Sequence, residues 1–239
     1  MEQEMEVQRI IAEGLTSLQL SAEAAPLLTR YESLLLEKNQ VMNLTAITDP
    51  VRAARLHMLD CAELLHDFDF GNRRVIDVGT GAGFPGMVLK LIEPSIDLIL
   101  LDSLGKRIAW LQELSSELHV PDIELIHGRA EDYGIRPAYR DACDIAVSRA
   151  VAELRILCEL CLPFVRTGGL FIAMKSTDSS EELNCAGTAV TKLGGELQAV
   201  IDYAIPGTDV THRLIAIRKI RPTPKGYPRR FAKIRKAPL

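Results

Sequence analysis

The sequence predicts an α/β protein built on a doubly wound, mostly parallel sheet. Three observations predict it. Between Arg74 and Lys175, five short apolar runs alternate with helical stretches. These runs are nearly continuous in Ile, Val and Leu, as strands buried on both faces must be. The first of them opens into a loop holding four glycines, Gly79, Gly81, Gly83 and Gly86. At 239 residues and 47% hydrophobic, the chain can bury one substantial core.

Taken in order, residues from about 5 to 65 read as helical. Apolar positions recur at three and four in "YESLLLEKNQVMNL" and again in "VRAARLHMLDCAELL". Thr48 and Asp49 before Pro50 mark a helix start. The strand-like runs are "RVIDVG", "IDLILLD", "IELIHG", "DIAVSRA" and "GLFIAMK". Helices are expected between them over Gly86–Ile92, Lys106–Leu118 and Val151–Pro163, and after the fifth over Glu181–Leu193. "GELQAVIDYAIP" and "THRLIAIRKI", joined by a turn-like "PGTD", read as a closing pair that brings the sheet to seven strands. The end, "RPTPKGYPRRF", is Pro-rich with few bulky apolar residues and is expected to be extended. The organisation expected is an N-terminal helical extension over 1–70, a Rossmann-like core over 71–220 and a basic tail over 221–239.

Composition narrows the function. No run of about 18 apolar residues is present, so no membrane span is expected. The acidic start "MEQEMEVQRI" lacks the basic and apolar regions of a secretory signal. Five scattered cysteines suit a reducing, cytoplasmic setting. Cys158 and Cys161 form a C-x-x-C inside an amphipathic helix with no second pair, and read as buried thiols rather than metal ligands. No metal is expected. The net charge of −4 hides an asymmetry: residues 212–239 contain ten Lys or Arg and no Asp or Glu, leaving −14 on the rest. A basic end on an acidic body fits a phosphate-rich partner, or a solvated terminus.

The glycine loop selects among nucleotide ligands. In a doubly wound sheet a ligand lies outside the carboxyl ends of the strands, where the strand order reverses. A triphosphate loop would end in Gly-Lys-Ser/Thr; here Phe84-Pro85-Gly86 stands instead. A dinucleotide fingerprint would place its third glycine at position 84, which is Phe84. The pattern present is Asp-x-Gly-x-Gly-x-Gly from Asp77 to Gly83, which resembles motif I of the class I methyltransferases that use S-adenosylmethionine. An acidic loop favours that molecule's α-ammonium. Asp102 ends the second run, 23 residues after Gly79, where a carboxylate accepts from ribose hydroxyls, as it also would for NAD. At the third run's end, "HGRAEDYG", Ala130 and Glu131 are placed to meet an adenine edge; alternatively Glu131 is a carboxylate favoured by a helix N-terminus.

Beyond about residue 30 the chain resembles the bacterial 16S ribosomal RNA guanine-N7 methyltransferases, the glucose-inhibited division protein B family. The resemblance rests on "NLTAI", "HMLD", "DVGTGAGFPG", "LLDSLGKRIAWL", "GRAED", "SRAVA", "ELCLPFVRTGGLFIAMK" and the ending "YPRR…KAPL". Lys38 stands where the family usually has Trp, Cys61 where it has Ser, and Phe231-Ala232 where Pro-Gly is commoner. The resemblance implies methyl transfer from S-adenosylmethionine to N7 of one guanine in the small-subunit RNA. It places Gly79, Gly81, Gly83, Phe84, Asp102, Ala130, Glu131 and Arg149 in the cofactor site. The chemistry fits, because N7 carries an in-plane lone pair and no proton, so positioning and electrostatics suffice without a general base. Accordingly no catalytic acid or base is assigned.

Other residues are read on their own chemistry. Arg149 can bind the cofactor's carboxylate or an RNA phosphate bidentately, or form a surface salt bridge. Lys175 is a candidate RNA contact. The tail's Lys and Arg can neutralise phosphates of 16S ribosomal RNA or of the small subunit, with Tyr227 and Phe231 stacking on unpaired bases or packing on the body. His57 and Asp60, one turn apart, read as a local structural hydrogen bond more readily than as a catalytic pair, and Asn39 and Asn43 can meet the cofactor face from above. An NAD-dependent oxidoreductase and a non-catalytic RNA-binding protein are the competing classes; Phe84 and the intact loop weigh against each in turn. The protein is expected to act as a monomer.

Overall fold

The computed structural model describes residues 2–149 and 151–239. The N-terminal region is helical: α1 (Glu2–Ser17), a 3₁₀ turn at Ala22–Ala24, α2 (Ala25–Met42), α3 (Pro50–Ala53), a π-helical segment at Ala54–Leu59 and α4 (Asp60–Asp67). The helix start expected at Asp49 is present, with Asp49 Oδ1 accepting the Arg52 N–H at 2.8 Å and Pro50 at the first helical position.

Alternation follows: β1 (Arg74–Val78), α5 (Gly86–Ile92), β2 (Asp97–Asp102), α6 (Gly105–Glu117), β3 (Ile123–His127), α7 (Ala130–Tyr133), β4 (Cys143–Arg149), α8 (Leu154–Cys161), β5 (Val165–Ser176), α9 (Ser180–Lys192), β6 (Gly195–Ala204), β7 (Thr211–Lys219) and α10 (Phe231–Lys236). The sheet order is β3-β2-β1-β4-β5-β7-β6. The first five strands are mutually parallel, and β7 runs antiparallel to both β5 and β6. The order therefore reverses between β1 and β4.

The strands alternate between two cores, as a sheet covered on both faces requires. Val75, Leu98, Leu100, Val147 and Ile172 face α5 and α6 together with Val7, Ile11, Leu15, Tyr31 and Leu35 of the N-terminal helices. Ile76, Ile99, Leu101, Ala146, Phe171 and Ile217 face α8, α9 and Ile234 of α10. The N-terminal helices thus share one core with the sheet.

Two sequence boundaries moved. The helix expected from Val151 begins at Leu154, because Val151 closes against the β1 loop: a Cβ on Gly79 would lie 2.7 Å from Val151 Cγ2. The Leu154 N–H is capped instead by Glu182 Oε2 at 2.9 Å. Ala150, the last residue of the run "DIAVSRA", lies outside the described residues. The fifth strand starts earlier than read, at Val165, which pairs with Cys143 ahead of a register shift.

The basic end is docked. Residues 221–230 are irregular, as expected, but a short helix follows and Ile234 is fully buried. Arg140 clamps this segment by donating to Tyr227 O at 2.8 Å and Thr223 O at 2.7 Å. Arg229 donates to both carboxylate oxygens of Glu159, which is wholly buried on α8. Lys219, also wholly buried, donates to Asp141, Leu162 O, Val165 O and Thr223. Part of the charge read as a surface for RNA is therefore internal, because buried carboxylates and carbonyls need cationic partners.

Among the described residues, no helix is long and apolar enough to cross a membrane. Cys158 and Cys161 are buried, and burial pushes the Cys158 thiol up to about 12.

Candidate active site

A cavity of about 500 Å³ opens at the carboxyl edge of the sheet, where the order reverses. Its size is that of a small-molecule site. Three strand ends build it in sequence order.

The β1 loop comes first. Gly79 and Thr80 donate to Leu101 O at 2.8 and 3.2 Å, pinning the loop to the end of β2. Gly79 and Gly81 adopt φ of +77° and +61°, which L side chains rarely take. A Cβ at Gly81 would meet nothing nearer than Gly79 O at 3.9 Å, so the loop backbone lies open to the cavity. The loop's back is held from outside: Tyr31 Oη and Trp110 Nε1 both donate to Ala82 O, at 2.9 and 3.1 Å.

The end of β2 supplies Asp102, 3% exposed. Its Oδ1 accepts the Leu104 N–H at 2.9 Å, while Oδ2 accepts the Gly81 N–H at 3.0 Å and Arg107 Nη1 at 3.1 Å. A carboxylate has about four acceptor positions, so one remains open on Oδ1. The end of β3 supplies Gly128, Ala130 and Glu131. Glu131 sits in the first turn of α7, as the helix-terminus reading had it, and its Oε1 also accepts the Phe231 N–H at 3.3 Å.

Seven of the eight sequence-derived positions line this one cavity: Gly79, Gly81, Phe84, Asp102, Ala130, Glu131 and Arg149. Gly83 does not. At φ +115° its missing Cβ would lie 2.5 Å from Tyr31 Oη, so this glycine serves packing behind the loop. Asp77, expected to attract an ammonium, also turns away: fully buried, it accepts the Gly86 N–H at 2.9 Å under the loop.

Arg149 closes the other end. It is not on a surface salt bridge; Nη1 donates to Asp60 Oδ2 at 3.0 Å and to Leu56 O at 3.2 Å, and Asp60 is 1% exposed. The guanidinium also lies 4.7 Å over the Phe84 ring. The hydrogen bond expected between His57 and Asp60 is absent. Asp60 Oδ1 goes instead to Tyr203 Oη at 2.7 Å and His212 Nδ1 at 2.8 Å. His57 faces Thr45 Oγ1 through Nε2 at 2.7 Å and Arg149 Nη2 through Nδ1 at 3.2 Å, and stacks on Phe84 at 4.7 Å. Burial, then the Arg149 charge, lowers His57 to about 4, so the ring is neutral near pH 7.

Sequence reasoning placed three other residues less well. Lys175 bonds Ala152 O at 2.8 Å and Glu182 at 2.6 Å, which removes it from an RNA-facing role. Asn39 does not reach the cavity but clamps the loop that does, bonding the backbone of Leu44 and Thr45. Asn43 ends α2 in the left-handed conformation, at φ +49°. Thr45, His57, Arg107 and Phe231 line the cavity without having been assigned to it. The motifs "NLTAI" and "HMLD" contain the first two; only the helix packing brings them to the strand edge.

The fold has known counterparts. The YcgJ protein of Bacillus subtilis superposes with a TM-score of 0.53 at 14% identity, covering 69% of this chain and 100% of that one. A SAM-dependent methyltransferase from Aquifex aeolicus gives 0.52 at 17%, covering 69% and 92%. Those likenesses establish a Rossmann-like class I fold. Sequence relatives are nearer. "Ribosomal RNA small subunit methyltransferase G" of Clostridium tetani is 44% identical over 212 residues, 88% of each chain. The protein of that name from Symbiobacterium thermophilum is 46% identical over 238 residues, 96% of this chain and 97% of its own. The model of the family described as "GidB: rRNA small subunit methyltransferase G" matches residues 24–208. With that match spanning most of its length, the chain belongs to the GidB family.

Proposed function

We propose that this protein transfers a methyl group from S-adenosylmethionine to N7 of a specific guanine in 16S ribosomal RNA. One observation carries the reading: a glycine loop, an acid and an Ala-Glu pair, from three successive strand ends, line a single cavity at the strand-order switch. The residues suit S-adenosylmethionine. An open glycine backbone allows close approach, and a buried carboxylate keeps an acceptor position unfilled.

In this reading Gly79 and Gly81 hold the amino-acid end from below, and Asp102 holds the ribose. A second ribose hydroxyl would displace Arg107, which is 37% exposed and free to swing away. Ala130 and Glu131 face the adenine, with Phe231 closing that end. Arg149, buttressed by Asp60, keeps Nη2 and Nε hydrogens for a carboxylate or a phosphate. When bound, the cofactor supplies a methyl group on a cationic sulfur, and the C–S bonding pair stays on sulfur. The N7 lone pair of guanine forms the new bond, leaving a cationic base and no proton to remove. His57, neutral and engaged at both nitrogens, is accordingly a buttress and not a base. The task left to Arg149, Phe84 and Thr45 is to orient the acceptor.

The exposed Lys225, Arg230, Lys233, Arg235 and Lys236 supply phosphate contacts, with Arg230 and Arg235 next to the cavity residues Glu131 and Phe231. Within this proposal the chain divides into a helical extension (1–70), the methyltransferase core (71–220) and an RNA-facing tail (221–239), and acts as a monomer in the cytoplasm. Mapping N7-methylguanine by borohydride–aniline cleavage in ribosomal RNA tests the reading. Cells lacking the gene should lose one cleavage in the 16S RNA, and a plasmid copy should restore it. An unchanged cleavage pattern would refute it.

A further inference from the structure

Arg107 shares one oxygen of Asp102 with the glycine loop. Asp102 Oδ2 accepts the Gly81 N–H at 3.0 Å and Arg107 Nη1 at 3.1 Å, while Oδ1 accepts the Leu104 N–H at 2.9 Å. Each carboxylate oxygen has about two acceptor positions, so Oδ2 is full and Oδ1 has one left. A ribose gripped through both hydroxyls donates once to each oxygen. The second donation therefore needs the place that Arg107 occupies. The two backbone donors are fixed by the fold. The guanidinium, partly exposed at the cavity rim, is the donor that yields.

The surroundings of Arg107 are poor in acids. The first turn of α6, which carries Lys106 and Arg107, contains no Asp or Glu. Arg107 and Arg129 line the same cavity, and Arg129 joins Arg230 and Arg235 around an adjoining one of about 560 Å³. Lys106, Arg129, Arg230 and Arg235 are exposed, and their side chains form no hydrogen bond or ion pair among the described residues. Glu131, between the two cavities, is buried with one oxygen on the Phe231 N–H. Among the described residues lining either cavity, Asp132 is the one exposed acid. A basic rim thus runs from Arg107 to the docked tail.

We infer that Arg107 is an RNA phosphate contact released by cofactor binding: the ribose takes the Asp102 oxygen, and the guanidinium turns to a phosphate of the RNA on this rim. This inference rests on the methyl-transfer reading above. One ion pair is exchanged for another, and no covalent bond changes. While Arg107 is paired, Asp102 offsets its charge and it attracts phosphate weakly. With ribose hydroxyls in its place, neutral donors satisfy the carboxylate and the guanidinium is left to pair with the RNA. Its planar fork meets phosphate oxygens in bidentate geometry. The coupling is reciprocal, so bound RNA raises cofactor affinity by the same factor. The protein therefore holds RNA best when a cofactor is in place.

The test uses the full-length protein, S-adenosylhomocysteine and a 16S RNA fragment carrying the mapped guanine. S-adenosylhomocysteine has no sulfonium charge, so any gain in phosphate attraction comes from the protein. In filter binding at low salt, saturating S-adenosylhomocysteine should tighten wild-type RNA binding by about fivefold or more. It should also steepen the slope of log K against log salt by about 0.7, the value for one phosphate on a single strand. Arg107→Gln should bind RNA alone about as tightly as wild type and lose both effects. In calorimetry it should bind S-adenosylhomocysteine at least as tightly as wild type, because the competitor for Asp102 is gone. Arg107→Lys keeps a charge and should keep the steeper slope. Each comparison with and without S-adenosylhomocysteine is made in one preparation, which cancels any difference in folded fraction.

A wild-type salt slope that S-adenosylhomocysteine leaves unchanged overturns the inference, as does an Arg107→Gln protein that keeps the full gain in RNA affinity. An S-adenosylhomocysteine affinity about tenfold weaker in Arg107→Gln also overturns it, by placing the guanidinium on the cofactor. Wild-type protein that binds no S-adenosylhomocysteine at all is a separate result and refutes the underlying cofactor reading as well.

Discussion

Arg149 Nη1 donates to Asp60 Oδ2 at 3.0 Å, tying the end of β4 to the first turn of α4 across 89 residues of sequence. Asp60 is 1% exposed, and its other oxygen takes Tyr203 and His212. Burial alone would raise this carboxyl; the His212 hydrogen bond, the Arg149 charge and the Tyr203 hydroxyl together hold it below the usual carboxylate range. Breaking one partner of a buried pair costs about 3–5 kcal/mol, since the other charge stays desolvated and unmatched. Asp60→Ala should therefore lower unfolding free energy by about that amount in urea titration. It should also weaken S-adenosylhomocysteine binding, because Arg149 loses its fixed orientation. A loss under about 1 kcal/mol would mean the pair is exchanged for water at little cost.

Gly81 and Gly83, two residues apart in one motif, should fail in opposite ways. At Gly81 the cost to folding is the left-handed backbone, about 1–2 kcal/mol, since a Cβ there meets no close neighbour. An aspartate at this position points its charge into the cavity beside Asp102. Gly81→Asp should abolish S-adenosylhomocysteine binding in calorimetric titration, leave RNA affinity nearly intact and lower Tm by only several degrees. Gly83→Ala instead drives a methyl to 2.5 Å from Tyr31 Oη and 3.0 Å from Leu111, at φ +115°. It should destabilise by more than about 2 kcal/mol, in the range of overpacked cores, with cofactor affinity preserved in the fraction that folds.

The contrast marks what the sequence made legible. Strand and helix order could be read because each strand is a short apolar run bounded by polar turns, and parallel strands announce burial on both faces. The three strand ends could be read because each site residue follows its own strand directly. Thr45 and His57 could not be assigned, since they reach the cavity through helix packing and no local pattern encodes that. The His57–Asp60 spacing misled for a related reason: the segment Ala54–Leu59 is π-helical, and Asp60 has stronger partners from β4, β6 and β7. The charge of residues 212–239 was visible, but not that Arg229 and Lys219 bond buried oxygens, because pairing across 70 and 57 residues leaves no trace in composition.

That internal use of charge changes how the tail must be tested. Deleting residues 221–239 strips Glu159 of Arg229 and leaves a buried carboxylate alone, so it should destabilise the fold by about 3–5 kcal/mol. Replacing the exposed Lys225, Arg230, Arg235 and Lys236 with Gln keeps the docking contacts and removes only surface charge. If the four contact phosphates, the slope of log K against log salt should flatten by about 0.7 per charge removed, as for single strands. Filter binding to 16S RNA fragments between low and physiological salt measures it. An unchanged slope would place the RNA elsewhere on the surface.

Asp77 gives the protein a pH dependence opposite in sign to that of an ordinary paired carboxylate. Burial pushes its carboxyl up to about 7, and the Gly86 N–H offsets this only in part. Between about pH 4 and 7 the unfolded chain has lost this proton while the folded protein keeps it. The folded state then binds more protons, so its stability falls as pH rises through that window and levels off above it. Asp77→Asn keeps an oxygen for Gly86 and cannot ionise. The variant should match wild type below about pH 4, pull ahead as pH rises, and exceed it most in urea midpoint at pH 8. It should do so without loss of S-adenosylhomocysteine binding, because Asp77 lies beneath the loop and not on the cavity wall. A variant weaker than wild type at pH 8 would show instead that the ionised carboxylate holds the loop.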